Sequence, residues 1–180
     1  MNRKSLKELM ATGEGLTGFD WPERYTDFDI RILRDGTWTY KGDPIRRLKL
    51  CQLFSTVLQR DEEGTYWLVT PGERGRIDVE DVPFNAVELK AEDGDDGPVL
   101  HFRTNLDYWV RADADHPIRV ESDPASDEPS PYIMVRDGLE ALIARPVFYD
   151  LVDRARGVET ADGTEYFVES AGTPFLLGRV

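Results

Sequence analysis

The sequence predicts an α+β protein of two related lobes, each made of strands plus a helix. Three observations carry this. Short runs alternate apolar and polar residues between turns rich in Gly, Pro and Asp, the pattern of strands with one buried face. Two stretches with helical spacing follow Asp43-Pro44 and Arg145-Pro146, where proline suits a first helical turn. Finally, motifs recur in the same order: Pro-Ile-Arg at 44–46 and 117–119, Gly-Thr at 64–65 and 163–164. With 180 residues, 40% apolar and 11% aromatic, the chain has enough apolar surface for a packed core.

Residues 1–12 read as a short helix, followed by a Gly-punctuated arm in which Phe19 and Trp21 are available to dock onto a core. Ile30, Ile32, Trp38 and Tyr40 alternate with polar residues on either side of Asp35-Gly36, a hairpin signal. Asp43 and Pro44 fit an N-cap and first helical position. Leu50, Leu53, Phe54, Val57 and Leu58 then recur at helical spacing over about three turns. Cys51 sits beside that stripe as a small core residue. The runs TYWLVTP, GRIDVED and NAVELKAE read as strands, ending in the polar turn EDGDDGP. This gives an N-terminal helix and arm over 1–22, a first lobe over 23–95 and a second, elaborated lobe over 96–180.

The second half repeats the order of the first. Laying VLHFRTNLDYWVRADADHPIRV on IRILRDGTWTYKGDPIRR sets Arg103 on Arg34, Trp109 on Trp38 and Pro117-Ile118-Arg119 on Pro44-Ile45-Arg46. The Pro pair is 73 residues apart and the Gly-Thr pair 99, so 26 extra residues fall in the second copy. They include the loop SDPASDEPSP, a strand at Tyr132–Val135 and the apolar stretch LEALIA, before Arg145-Pro146 opens a helix. Pro-Ile-Arg is expected to end the hairpin in each copy, where a missing N–H does no harm. Two packed lobes leave a cleft between them, and ligand sites favour such places.

Charge narrows the function classes. Thirty-five acids against 22 bases give −13, which makes nucleic acid and anionic membrane surfaces poor partners. Arg31, Arg34, Lys41, Arg46, Arg47, Lys49 and Arg60 face only Asp35 and Asp43 in their stretch, an island of +5 suited to an anionic ligand or to the chain's own acids. No run approaches the roughly 20 apolar residues of a membrane helix, and no apolar stretch follows the basic start, so the expected compartment is the cytoplasm. One cysteine excludes disulfide scaffolds and zinc ribbons.

The segments GTWTYKGDPIRRLKLCQLFSTVL, YWLVTPGERGRIDVEDVPF, FRTNLDYWV and MVRDGLEALIARPVFYDLV resemble the bacterial family catalogued as domain of unknown function 1285, over residues 20–170. The resemblance implies a duplicated two-lobe α+β fold, a second lobe that is pleckstrin-homology-like, a nucleotide-like ligand between the lobes and a role in signal transduction. The family's activity is unassigned.

Polar side chains within these segments are the binding candidates, because Arg grips phosphate or carboxylate through parallel hydrogen bonds while Thr and Asn orient sugar or base edges. They are Arg46, Thr70, Glu73 and Arg74 in the first lobe, and Thr104, Asn105, Arg136 and Arg145 in the second. Turn chemistry competes as an explanation at Thr70–Arg74 and at Thr104-Asn105. No catalytic constellation is found: His101 and His116 lack ligand-like spacing, and nucleophile elbow, P-loop and dinucleotide fingerprint are absent. Neither EDGDDG nor ADADH follows a calcium-loop pattern. The expectation is a ligand-sensing module for a small anionic molecule, with no cofactor and no metal. The alternatives are a protein-interaction module without such a ligand and an enzyme using Glu73 or Asp78.

Overall fold

A computed structural model describes residues 26–122 and 128–180. The expected N-terminal helix and the arm bearing Phe19 and Trp21 lie outside the described residues. The chain divides into two compact units, Met1–Asp81 and Val82–Val180.

The first unit is a six-stranded sheet of order β3-β2-β1-β6-β5-β4, built from β1 (Thr26–Ile32), β2 (Trp38–Tyr40), β3 (Asp43–Pro44), β4 (Leu58–Arg60), β5 (Tyr66–Thr70) and β6 (Glu73–Val79), with α1 (Leu48–Thr56) between β3 and β4. The β1–β2 turn forms as Asp35-Gly36 predicts: Gly36 takes φ 85°, and the Thr37 N–H donates to Asp35 Oδ1 at 2.9 Å. Alternation buries Ile30 and Ile32 with Trp38, Leu58, Val69 and Ile77. Trp38 meets Phe54 of α1 with ring centroids 6.2 Å apart, which seats the helix. Burial pushes the Cys51 thiol up, consistent with a core residue.

Helix α1 starts at Leu48 with Arg47 as its N-cap, four residues after the expected Pro44 start. Backbone bonding accounts for the delay. Pro44 and Asp43 pair with Thr39 and Tyr40, and the Ile45 N–H donates to Trp38 O at 2.7 Å, so the chain stays tied to β2.

The second unit holds β7 (Phe84–Gly94), β8 (Gly97–Thr104), β9 (Trp109–Arg111), β10 (Ile118–Ser122), β11 (Pro129–Arg136) and β12 (Leu139–Ile143) in one sheet. There follow α2 (Arg145–Asp153) and a three-stranded sheet of β13 (Arg156–Thr160), β14 (Gly163–Ser170) and β15 (Thr173–Arg179). Ser170 joins the two sheets: fully buried, it accepts from the Leu100 N–H at 2.9 Å and donates to Ala112 O at 2.6 Å. Pro146 in the first turn of α2 agrees with the sequence.

Three expectations change. The polar turn taken as the lobe boundary is the tip of the β7–β8 hairpin, and the units divide at 81/82 because β7 pairs with β8 and β12. Pro117-Ile118-Arg119 opens strand β10 instead of closing a hairpin, since Ile118 and Arg119 pair with Ile133 and Tyr132. With only two nine-residue helices among the described residues, the protein is mostly β. Read from its β9 edge, the second sheet runs β9-β8-β7-β12-β11-β10, the order of the first with six added to each strand. That correspondence sets β8 on β2, where the sequence alignment sets it on β1.

Candidate functional site

The eight predicted binding residues separate into structural and site-forming sets once their partners are known. On the β5–β6 hairpin, Thr70 Oγ1 donates to Glu73 O at 3.2 Å, so Thr70 closes the turn. Glu73 is exposed, as is Asp78 on the same strand. Arg74 lies with its guanidinium carbon 3.5 Å from the Trp67 ring centroid and its Nη2 4.0 Å from Asp61 Oδ2. Its charge is therefore engaged by ring and carboxylate, a packing role. Asp61 is the hub: it accepts from Trp67 Nε1 at 2.8 Å and from the N–H groups of Thr65 and Glu63 at 2.8 and 3.1 Å. Burial pushes its carboxyl up, but these hydrogen bonds and Arg74 outweigh it and hold Asp61 below its ordinary value.

Within the basic island the bases also sort. Arg31 pairs with Glu80 and Arg34 with Asp81, each at 3.6 Å. Lys41 lies over Tyr40 and Arg60 over Tyr66. Arg46, Arg47 and Lys49 are exposed at the start of α1, with no ion pair among the described residues.

In the second unit, strand register brings Thr104, Asn105 and Arg136 to one end of the sheet. Thr104 lies opposite Ala86, and Ala141 opposite Phe84, so the β8–β9 turn and the β11–β12 turn project past the same end of β7. Arg145 does not join them, because it follows the far end of β12 and pairs with Glu128. Two of the three have structural partners. Thr104 is fully buried and its hydroxyl accepts from the Tyr108 N–H at 3.1 Å. Asn105 clasps Asn85 backbone to backbone and through its side chain: the Asn105 N–H donates to Asn85 O at 2.8 Å and Asn105 Oδ1 accepts from the Asn85 N–H at 2.9 Å.

Arg136 is half-buried, and burial pulls its pKa down while Asp137 and Tyr108 only partly offset that. The Tyr108 ring is held edge-on to Phe84 at 6.3 Å between centroids. Arg136 thus interacts with Tyr108, and the Asn85–Asn105 pair lies at the same end of the sheet, so this end brings one cation and amide groups that an anionic ligand could engage.

Sequence reasoning missed Arg119, Tyr132 and Glu140. Arg119 lies over the Tyr132 ring at 4.3 Å and engages Glu140, 21 residues away, which no local pattern signals. The histidines are local. His116 Nδ1 lies 3.0 Å from Asp113 Oδ1 in a turn, and His101 Nε2 lies 3.6 Å from Glu92. Among the described residues, no three His, Cys, Asp or Glu side chains are grouped to hold a metal ion, and no helix is long and apolar enough to cross a membrane.

Comparison with known proteins adds the following. A model described as domain of unknown function (DUF1285), N-terminal domain, matches residues 20–82, and one described as protein of unknown function (DUF1285), C-terminal domain, matches 83–177. These ranges meet within one residue of the point where the two units divide. The crystal structure of a DUF1285 family protein from Silicibacter pomeroyi DSS-3 aligns with TM-score 0.78 and 40% identity over 96% of this chain and 95% of that one. A second, from Shewanella baltica OS155, aligns with TM-score 0.56 and 24% identity over 70% of this chain and 91% of that one, a likeness of fold alone. No curated protein matches the chain.

Proposed function

The chain belongs to the bacterial DUF1285 family through both of its domains, and on that premise we propose that it is a ligand-sensing module for a small anionic, nucleotide-like molecule, acting in signal transduction. The observation that supports this best is the gathering of the half-buried Arg136, Tyr108 and the Asn85–Asn105 pair at one end of the sheet, where an arginine can grip an anion through parallel hydrogen bonds. Tyr108 and the Asn85–Asn105 pair supply a ring and amides of the kind that bind a base or sugar edge.

We read the two domains as products of duplication, which the shared strand order of the two sheets supports. The second is pleckstrin-homology-like in our reading: antiparallel strands turn back so that β14 fastens onto β8 through Ser170, with a helix packed alongside.

Thermal unfolding against nucleotides, dinucleotides and other anionic metabolites tests the proposal. A ligand at 100 times its dissociation constant adds about 2.7 kcal/mol, a rise of roughly 5–11 °C for a chain of this size. Arg136→Ala should abolish the shift while leaving a cooperative transition. No shift with any anion class sinks the reading. A protein-interaction module without a small-molecule ligand then takes its place, favoured by the open edge of β13.

A further inference from the structure

Strand edges are where sheets recruit new strands, and the three described sheets end in six outer strands. In the first sheet the outer strands are β3, of two residues, and β4, of three, whose Leu58 is buried. In the second they are β9, of three residues, and β10, which packs beside β15, itself an outer strand of the three-stranded sheet. That leaves β13. It has five residues, Arg-Gly-Val-Glu-Thr, every one exposed, and among the described strands it pairs with β14 alone. Arg156 and Glu159 put opposite charges on it, but no Pro or Lys interrupts it, and its pairing with β14 is regular through all five positions, whereas the β14–β15 pairing carries a bulge.

We propose that β13 pairs antiparallel with β13 of a second copy of this chain, joining the two three-stranded sheets into one of six strands. The strand's own sequence selects this occupant. Antiparallel strands related by a twofold axis keep the same face up, so only residues of like face can stand opposite each other. Centring on Glu159 opposes two carboxylates, and centring on Gly157 leaves three pairs. Centring on Val158 keeps all five: Arg156 faces Thr160, Gly157 faces Glu159, and Val158 meets Val158 on the axis. No like charges stand opposite each other. Val158, 50% exposed, shares its face with Glu165 and Arg179, which are bound to each other. Pairing across the axis therefore makes one row in which two valines are flanked on each side by an ion pair. So short an edge belongs with weak, concentration-dependent interfaces.

Sedimentation equilibrium of the full chain from dilute to concentrated solution should show the weight-average mass rising toward twice the monomer. Val158→Lys puts two like charges on the axis and should raise the dissociation constant at least about tenfold. Val158→Cys provides a second reading: the single native cysteine is buried, so mild oxidation should give one disulfide-linked dimer through position 158 alone. Because Val158 points to solvent in the isolated chain, both variants should keep the wild-type melting temperature at low concentration. A chain that stays monomeric, a dimer indifferent to Val158→Lys, or a Val158→Cys protein that fails to cross-link when concentrated overturns the proposal, and capture of a foreign strand without self-association does so equally.

Discussion

Arg119 holds Glu140 through two parallel hydrogen bonds, Nε to Oε1 and Nη2 to Oε2, each 2.6 Å long. The Glu140 side chain is 10% exposed, whereas that of Arg119 is 40% exposed and also reaches Glu121. The consequences of breaking the pair are therefore unequal. Arg119→Met strands a buried carboxylate and should cost about 2–3 kcal/mol, somewhat less than a fully buried pair would. Glu140→Leu leaves an arginine that Glu121 and water still serve, and should cost less. Urea unfolding of both variants and the double variant checks this. Equal losses would show that burial of Glu140 is not what governs the pair.

Gly75 marks a second dependence. A Cβ at this position would lie 2.1 Å from the Phe28 ring, which occupies the space a side chain would need. Gly75→Ala should destabilise by about 1–3 kcal/mol through overpacking. Pairing it with Phe28→Ala should recover part of that loss in a double-mutant cycle of melting temperatures. Simple additivity of the two would refute the steric account.

Ser170→Ala removes a buried hydroxyl that serves two backbone groups, leaving the Leu100 N–H and Ala112 O without it. A loss of about 1–3 kcal/mol is expected. Hydrogen exchange localises the effect: protection at Leu100 should fall before that of the β7–β12 pairing.

Asp61 gives a pH dependence with a definite sign. Its folded carboxyl is held below its ordinary value, so the unfolded chain binds this proton more readily than the folded one. The stabilisation is present above the unfolded value of about 3.9 and is lost as pH falls through the folded one. Asp61→Asn should accordingly show a shallower fall of urea midpoint with acidity than wild type. Parallel curves would mean that Asp61 contributes nothing to acid sensitivity.

These residues also show what a sequence discloses. The Asp35-Gly36 turn, the alternation at Ile30 and Ile32 and the Pro146 helix start were legible because each depends on neighbours in the chain. The start of α1 was not, because a hydrogen bond from Ile45 back to Trp38 overrides a good N-cap signal at Asp43-Pro44. Pro-Ile-Arg looked like one device used twice, yet Arg46 is exposed ahead of a helix and Arg119 is a cross-strand clamp. The difference lies in Glu140, which adjacency along the chain cannot reveal. Of the candidate binding residues, Thr104 bonds within its own turn, as turn chemistry allows, whereas the partners of Asn105 and Arg74 lie on neighbouring strands.

The centre of each large sheet joins its first strand to its sixth in parallel, β1 to β6 and β7 to β12. During synthesis the ribosome must therefore deliver Val79 before the first sheet can close and Ile143 before the second can. Until then each nascent domain carries an open central strand. Both domains should consequently fold late and as wholes, through contacts distant in sequence, with refolding slower than that of a helical chain of equal length.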